Sequence, residues 1–515
     1  MSVFSWFRLD EREQKNFFWL LLVYGLYILP LILANAYYMD DNGRAVAGYA
    51  AWEFDGRPLT MLVIDILNFQ WTFLAGIPYK VEDLYRPIQD LAPYPLILGT
   101  AIFAYAVVLT SRKYLQTESL LLRIGCQALC IMNPFLLGCL AYRFDSVTML
   151  LAAALTLLCF ALPAAVSPKK MLLWGFFLAF FVLCLYQLVI GAWIALTAME
   201  ILVALCRAEN MRFVLQRCMA RLAGCFVAGL LYKFTIMKFM VQTYQKDLQS
   251  FLMPFSHHGW ELLRQNIHVY HLMLRAYTDH LPWVVGGAML VIFFLFSWHW
   301  FRQCKLGGKM VVIYVVGVLI VLFGGYLPLL ALSGQANHAR SLIFLIVVAL
   351  ALGSMLCILA ERRKVLAFLL VPLLMYGCYY DYAFGNVLKR QTEHEIMIVQ
   401  QISYDIQRMD YEGSHPGRTA ELPKITLIGS AQPSLEFLVA AKRQPLMANL
   451  LESNLMEDHS AWILLRRYLP FDFQPGFGKE EMEACHHYAD AHDPVLVNSA
   501  YAIYLDGGHI IVKFL

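Results

Sequence analysis

The stretch FFWLLLVYGLYILPLILANA, residues 17–36, decides the class of this chain. It holds no charge over about twenty residues, enough for a helix to cross a hydrocarbon core. Arg8, Arg12 and Lys15 precede it, and Ala34-Asn35-Ala36 resembles a signal-peptidase site. The run is longer than the roughly 7–15 residues of a signal-peptide core, so a retained first membrane helix is expected.

Comparable runs follow at 94–110, 122–141, 147–166, 171–187, 189–206, 219–240, 282–299, 310–330, 341–359 and 365–383. With the first they make about eleven spans. The composition agrees. Of 515 residues, 60% are hydrophobic and 15% charged, against about 25% charged in soluble domains. Mean hydropathy is +0.57. Disordered, collagen-like and ordinary soluble proteins are excluded. A net charge of +3 gives no basis for a nucleic-acid partner. Most of the 12 cysteines, such as Cys126, Cys130, Cys139, Cys159 and Cys184, lie in apolar runs and act as small hydrophobes. Past residue 385 only Cys485 occurs, so the tail cannot close its own disulfide.

The run 59–77 carries Asp65, Asn68 and Gln70 and reads as a helix lying at the membrane interface. Basic loops are expected on the cytoplasmic side. With the N-terminus inside, the inner loops carry Arg112/Lys113, Lys169/Lys170, Arg207/Arg212/Arg217, Arg302/Lys305/Lys309 and Arg362/Arg363/Lys364. Counting 59–77 as a span would move every one of these clusters outside. The expected topology is therefore N-terminus cytoplasmic and tail outside.

Residues 1–385 form the expected transmembrane domain, and 386–515 a small α/β domain outside the membrane. The tail has no spanning run. It reads as a helix from Asn386 to about Met409, a strand Lys424–Gly429, helices from Pro433 and near Met456–Tyr468, and a closing hairpin. The hairpin runs Tyr501–Leu505, Asp506-Gly507-Gly508, His509–Leu515.

Polar clusters gather on the outer side. The first runs Tyr37-Tyr38-Met39-Asp40-Asp41-Asn42-Gly43-Arg44 and continues through Gly48-Tyr49 and Trp52 to Gly56-Arg57-Pro58-Leu59. Adjacent carboxylates suit a general base. Arg44 and Arg57 have the planar fork that grips a phosphate, and the aromatic rings offer flat faces to a sugar. The same residues also fit an aromatic belt with solvated loop charges. A second cluster joins Asn133-Pro134-Phe135 to Tyr142-Arg143-Phe144-Asp145-Ser146, where Arg143 and Asp145 fit either a site or a local ion pair. Tyr186-Gln187 and the group Gln335, Asn337, His338 and Arg340 fit site groups or helix-end caps. Ala383-Phe384-Gly385-Asn386 marks where the last span meets the tail.

His257-His258 with Trp260 and Arg264 fits an acceptor groove or a re-entrant turn. Cys485, His486, His487, His492 and Asp493 match no closed zinc spacing, so no metal site is assigned. No P-loop, dinucleotide fingerprint or hydrolase elbow occurs, which argues against a nucleotide used on the cytoplasmic side.

These clusters, in this order, resemble the serotype-converting O-antigen glucosyltransferases, the Gtr family. The resemblance rests on Asp40-Asp41-x-x-Arg44, Gly48-Tyr49-x-x-Trp52, Gly56-Arg57-Pro58-Leu59, Asn133-Pro134-Phe135, Tyr142-Arg143-Phe144-Asp145-Ser146, Leu185-Tyr186-Gln187 and Phe384-Gly385-Asn386. It covers roughly residues 17–400. One departure bears on sugar or acceptor choice: the family pattern is more polar before Tyr142 than Gly138-Cys139-Leu140-Ala141.

The resemblance implies a GT-C-like, α-helical polytopic enzyme of the bacterial inner membrane. It would move glucose from undecaprenyl-phosphate glucose to an O-antigen acceptor on the periplasmic face, after a lipid-linked glucose synthase and a flippase have acted. The expected roles are a base at Asp41 with Asp40, and donor phosphate or sugar binding at Arg44, Arg57, Arg143 and Arg340. Asp145, Tyr186 and Gln187 would hold the sugar. No cofactor is expected, although paired carboxylates have the chemistry to hold a divalent ion. A transporter or flippase of lipid-linked sugar, a membrane scaffold, and a transferase of another lipid-linked sugar are the competing readings. A transporter should show internal repeats and broken helices.

Overall fold

A computed structural model describes residues 6–48, 50–69, 88–241, 255–304, 308–334, 338–409, 422–451, 453–457, 459–476 and 478–515. The chain is a polytopic helical membrane protein. Nine helices among the described residues are long and apolar enough to cross a bilayer.

In chain order the helices of the first part are α1 (Glu11–Ala34), α2 (Asp41–Ala47), α3 (Pro58–Leu67), α4 (Tyr94–Tyr114), α5 (Leu120–Ala128), α6 (Pro134–Leu140) and α7 (Ser146–Ala161). Then come α8 (Pro168–Leu185), α9 (Ala192–Cys206), α10 (Met211–Tyr232), α11 (His257–Thr278), α12 (Trp283–Gln303), α13 (Gly308–Phe323), α14 (Ile346–Arg362) and α15 (Leu370–Arg408).

Two expected spans differ from simple crossing helices. The run 122–141 is broken into α5 and α6. Pro134 offers no N–H and disfavours helix at the residue before it. Asn133 instead caps α6, its Oδ1 accepting from the Phe135 amide at 3.2 Å. The run 147–166 becomes α7, 16 residues long, which stops just before Pro163. The run 59–77 begins as α3, and Asp65 on it is fully buried rather than turned to water. Its end lies outside the described residues.

Arg217 was expected in an inner loop. The structure corrects this, because α10 starts earlier and buries Arg217 and Arg221 against Glu200 of α9. Arg221 Nη1 stands 2.6 Å from Glu200 Oε2, Arg217 Nη2 is 3.1 Å from Oε1, and Lys113 Nζ of α4 is 2.6 Å from Oε1. One carboxylate thus gathers three cations.

The chain forms two compact units. One comprises the described residues of Met1–Leu33, Ala51–Pro78 and Leu91–Ala383. The other comprises Phe384–Leu515, Ala34–Ala50 and the described residues Ile88–Asp90. The first outer segment, with Asp40, Asp41 and Arg44, therefore groups with the tail.

The second unit is α/β. Its further elements are β1 (Lys424–Ile428), α16 (Leu435–Arg443), α17 (Leu446–Leu450), α18 (His459–Tyr468), β2 (Gln474–Gly476), α19 (Lys479–Ala491), β3 (Leu496–Val497), β4 (Tyr501–Asp506) and β5 (His509–Phe514). The sheet order is β2-β1-β5-β4-β3, with β1 parallel to both β2 and β5. β4 and β5 pair antiparallel around Gly507-Gly508, with Asp506 opposite His509. Alternation along β5 sends Ile510, Val512 and Phe514 to one face and Ile511 to the other. The first face packs on Ile398, Ile402 and Ile406, spaced four apart on α15. Phe384-Gly385-Asn386 makes no break, since α15 runs through it.

The helix α19 and the strands β2 and β3 were not expected. On α19, Cys485 enters the core with Ile428, Ala502, Tyr504 and Ile511. His486 Nε2 lies 2.8 Å from Glu457 Oε2. Packing and pairing account for two residues of that Cys/His cluster. His257 and His258 sit at the start of α11, beside Glu261.

Candidate active site

The first unit builds its polar cluster around one turn. Asp145 precedes Ser146 at the start of α7, and its side chain is 4% exposed. Its Oδ2 accepts the indole N–H of Trp52 at 3.1 Å and stands 3.7 Å from Arg57 Nη1. The Arg57 guanidinium lies over the Tyr186 ring, 5.1 Å from its centre. Tyr142, three residues before Asp145, accepts a hydrogen bond from Arg340 at its Oη, and that guanidinium also lies over its ring. Arg57 and Arg340 therefore converge on the turn 141–145. Arg143 is half-buried within it.

Arg57 is held in place from behind. Gln187 Nε2 donates to the carbonyls of Asp55 at 3.0 Å and Gly56 at 3.3 Å, and to Tyr232 Oη at 2.7 Å. Tyr232 Oη donates in turn to the Gly56 carbonyl at 2.8 Å. Gly56 has φ +76°, and a Cβ there would meet Tyr232 Oη at 2.3 Å. Glycine is required both by the left-handed backbone and by this close approach.

The second unit holds the carboxylate pair. Asp40 precedes α2 and is exposed, while Asp41 is buried and accepts the Tyr38 amide at its Oδ2, 3.2 Å away. Arg44 is 5% exposed and donates to the Ala50 carbonyl. The helix ends at Gly48, φ 66°, whose N–H bonds the Arg44 carbonyl.

Arg57, Asp145, Tyr186 and Gln187 thus belong to one cluster, to which Arg340 is tied through Tyr142. Asp40, Asp41 and Arg44 share a turn and helix in the other unit. Gln335, Asn337 and Tyr49 lie outside the described residues. Tyr232 is not singled out by the sequence, because it lies at the end of an apolar run beside Lys233 and nothing local ties it to Gln187 or Gly56. Among the described residues no group of His, Cys, Asp and Glu is arranged to hold a metal ion.

Residues 29–358 match the family described as Glucosyl transferase GtrII. The chain belongs to the GtrII family. This GtrII chain is 25% identical over 216 residues to an "uncharacterized 55.3 kDa protein in gtrB 5′ region" of Salmonella phage P22. That match spans 42% of this chain and 41% of the relative. No solved structure matches the chain. The family match runs through every residue of both clusters and stops before α15 and the sheet.

Proposed function

We propose that this GtrII member transfers glucose from undecaprenyl-phosphate glucose to a hydroxyl of an O-antigen unit, at the periplasmic face of the bacterial inner membrane. The observation that carries this reading is the Trp52–Asp145–Arg57 cluster stacked on Tyr186, within the segment that matches the family. Glycosyl transfer passes through an oxocarbenium-like state. The leaving group is a phosphate, which needs positive charge and hydrogen-bond donors rather than a strong acid. Arg57, Arg340 and Arg143 supply that charge, with Arg44 as a further binder. Asp145, Tyr186 and Gln187 orient the sugar. Asp41 with Asp40 takes the acceptor proton as general base. A lipid-linked glucose synthase and a flippase provide the donor. No divalent ion enters this scheme.

Transfer assays on purified protein in detergent test it, with undecaprenyl-phosphate glucose and O-antigen polysaccharide. Wild type should move glucose, while Asp41→Asn and Arg57→Ala should not. Activity only with another lipid-linked sugar would keep the reaction class and replace the donor.

A second reading, movement of lipid-linked sugar across the bilayer, draws on the broken pair α5–α6, since discontinuous helices are common in transporters. Folded wild type that transfers no sugar from any lipid-phosphate donor would favour it.

A further inference from the structure

The turn Tyr38–Asn42, which contains Asp40 and Asp41, is tied at both ends to one short segment. Tyr38 Oη donates to the Leu450 carbonyl, and Asn42 Nδ2 donates to Asn454 Oδ1 at 3.1 Å. Asn454 is held in turn by Glu395 on α15. Glu395 is 2% exposed. Its Oε1 accepts from Gln391 Nε2 at 2.9 Å, Ser453 Oγ at 3.0 Å and the Asn454 amide at 2.9 Å. Its Oε2 accepts from Asn454 Nδ2 at 2.8 Å.

An ionised carboxylate only accepts hydrogen bonds. Asn454 must therefore turn its NH2 toward Glu395 and its oxygen toward Asn42, and Asn42 must offer its own NH2. The bonds to this one buried carboxylate order the whole chain of amides. Without it nothing fixes which way either amide points.

We propose that Glu395 and Asn454 are positioning residues for the Asp40–Asp41 pair, acting through Asn42. The inference rests on the reading of that pair as the base. It also gives the tail a role in the reaction, because Glu395 and Asn454 lie beyond the segment that matches the family. Neither residue need touch a substrate. A base displaced by about 1 Å loses roughly a hundredfold in rate without losing substrate affinity.

The test uses the full-length protein in detergent, with undecaprenyl-phosphate glucose and O-antigen polysaccharide. Asn42→Ala, Asn454→Ala and Glu395→Gln are compared with wild type, Asp40→Asn and Asp41→Asn. Asn42→Ala guards against misfolding, since it removes only the far end of the relay. In the three relay variants kcat should fall about 10–100-fold while KM for the donor stays within about twofold. Amide exchange over residues 38–48 should quicken, and exchange over the strands β4 and β5 should not.

Unchanged kcat in the relay variants, beside inactive Asp41→Asn, overturns the inference, even if exchange quickens. Unchanged exchange over 38–48 overturns it whatever the activity. If Asp40→Asn and Asp41→Asn both turn over like wild type, the base reading fails instead. A loss of kcat together with quicker exchange in Asn454→Ala would then still support positioning of this turn.

Discussion

Trp52 donates its indole N–H to the Asp145 carboxylate across 93 residues of sequence, at 3.1 Å. The bond closes the wall of a cluster that also takes Arg57 and Tyr186. Trp52→Phe keeps a ring and deletes the N–H. A hydrogen bond to a buried charged group is worth about 1.5–3 kcal/mol. If that loss falls on the transition state, kcat/KM for transfer should drop about tenfold or more. Steady-state kinetics with an unfolding midpoint as control check it. Unchanged kinetics would place this bond outside the reaction.

Gly56 should tolerate no side chain. Alanine there meets a left-handed backbone costing about 1–2 kcal/mol and a hydroxyl 2.3 Å from the new Cβ. Gly56→Ala should lower both thermal midpoint and transfer. Adding Tyr232→Phe removes the obstructing oxygen, so the double variant should lose less than the two singles sum to. Simple additivity would show that backbone strain alone is responsible.

Glu200 holds Lys113, Arg217 and Arg221. Removing the single anion leaves buried cations facing one another, at a cost of about 3–5 kcal/mol. Removing one cation leaves the carboxylate still paired. Glu200→Gln should therefore unfold at a clearly lower temperature than Arg217→Met. The reverse order in thermal melts would contradict the charge count.

Acid should weaken the α/β unit. Burial pushes the Glu457 carboxyl up, but the Gly429 amide and His486 together outweigh it, and its pKa lies below the ordinary 4.5. Burial, then nearby Lys424, also lowers His509 below 6.5. In both cases the unfolded chain takes up the proton first as pH falls, so each contribution is full above the unfolded pKa and declines below it. The stability of the α/β unit, read from amide exchange over β4 and β5 in the full-length protein, should hold between about pH 8 and 7. It should then fall in two stages, below about 6.5 and below about 4.5. His509→Asn should remove the first stage only.

The membrane class and most of the helices were legible because hydropathy is a local property. Any run like 17–36 must bury its backbone polar groups in a helix to enter lipid. The closing hairpin was legible for a similar reason, as Asp506-Gly507-Gly508 between β-rich runs demands a tight reversal. The break at Asn133-Pro134 was written in the residues as well, but apolarity on both sides masked it. The helix α19 was missed because it is polar over most of its face. Its apolar contacts, Cys485 and Ala489, are too few to show a period.

Long-range partnership was not legible. Nothing near Asp145 announces Trp52, nothing near Gly56 announces Tyr232, and nothing near Asn42 announces Asn454 and Glu395. Composition and periodicity act over a few residues, so they settle which segments are helical and apolar. Hydrogen bonds between segments tens to hundreds of residues apart depend on how the chain folds back. That folding buries Asp41, Asp145, Glu200 and Glu395, where unpaired charge is costly. It therefore sets which donors each carboxylate must find.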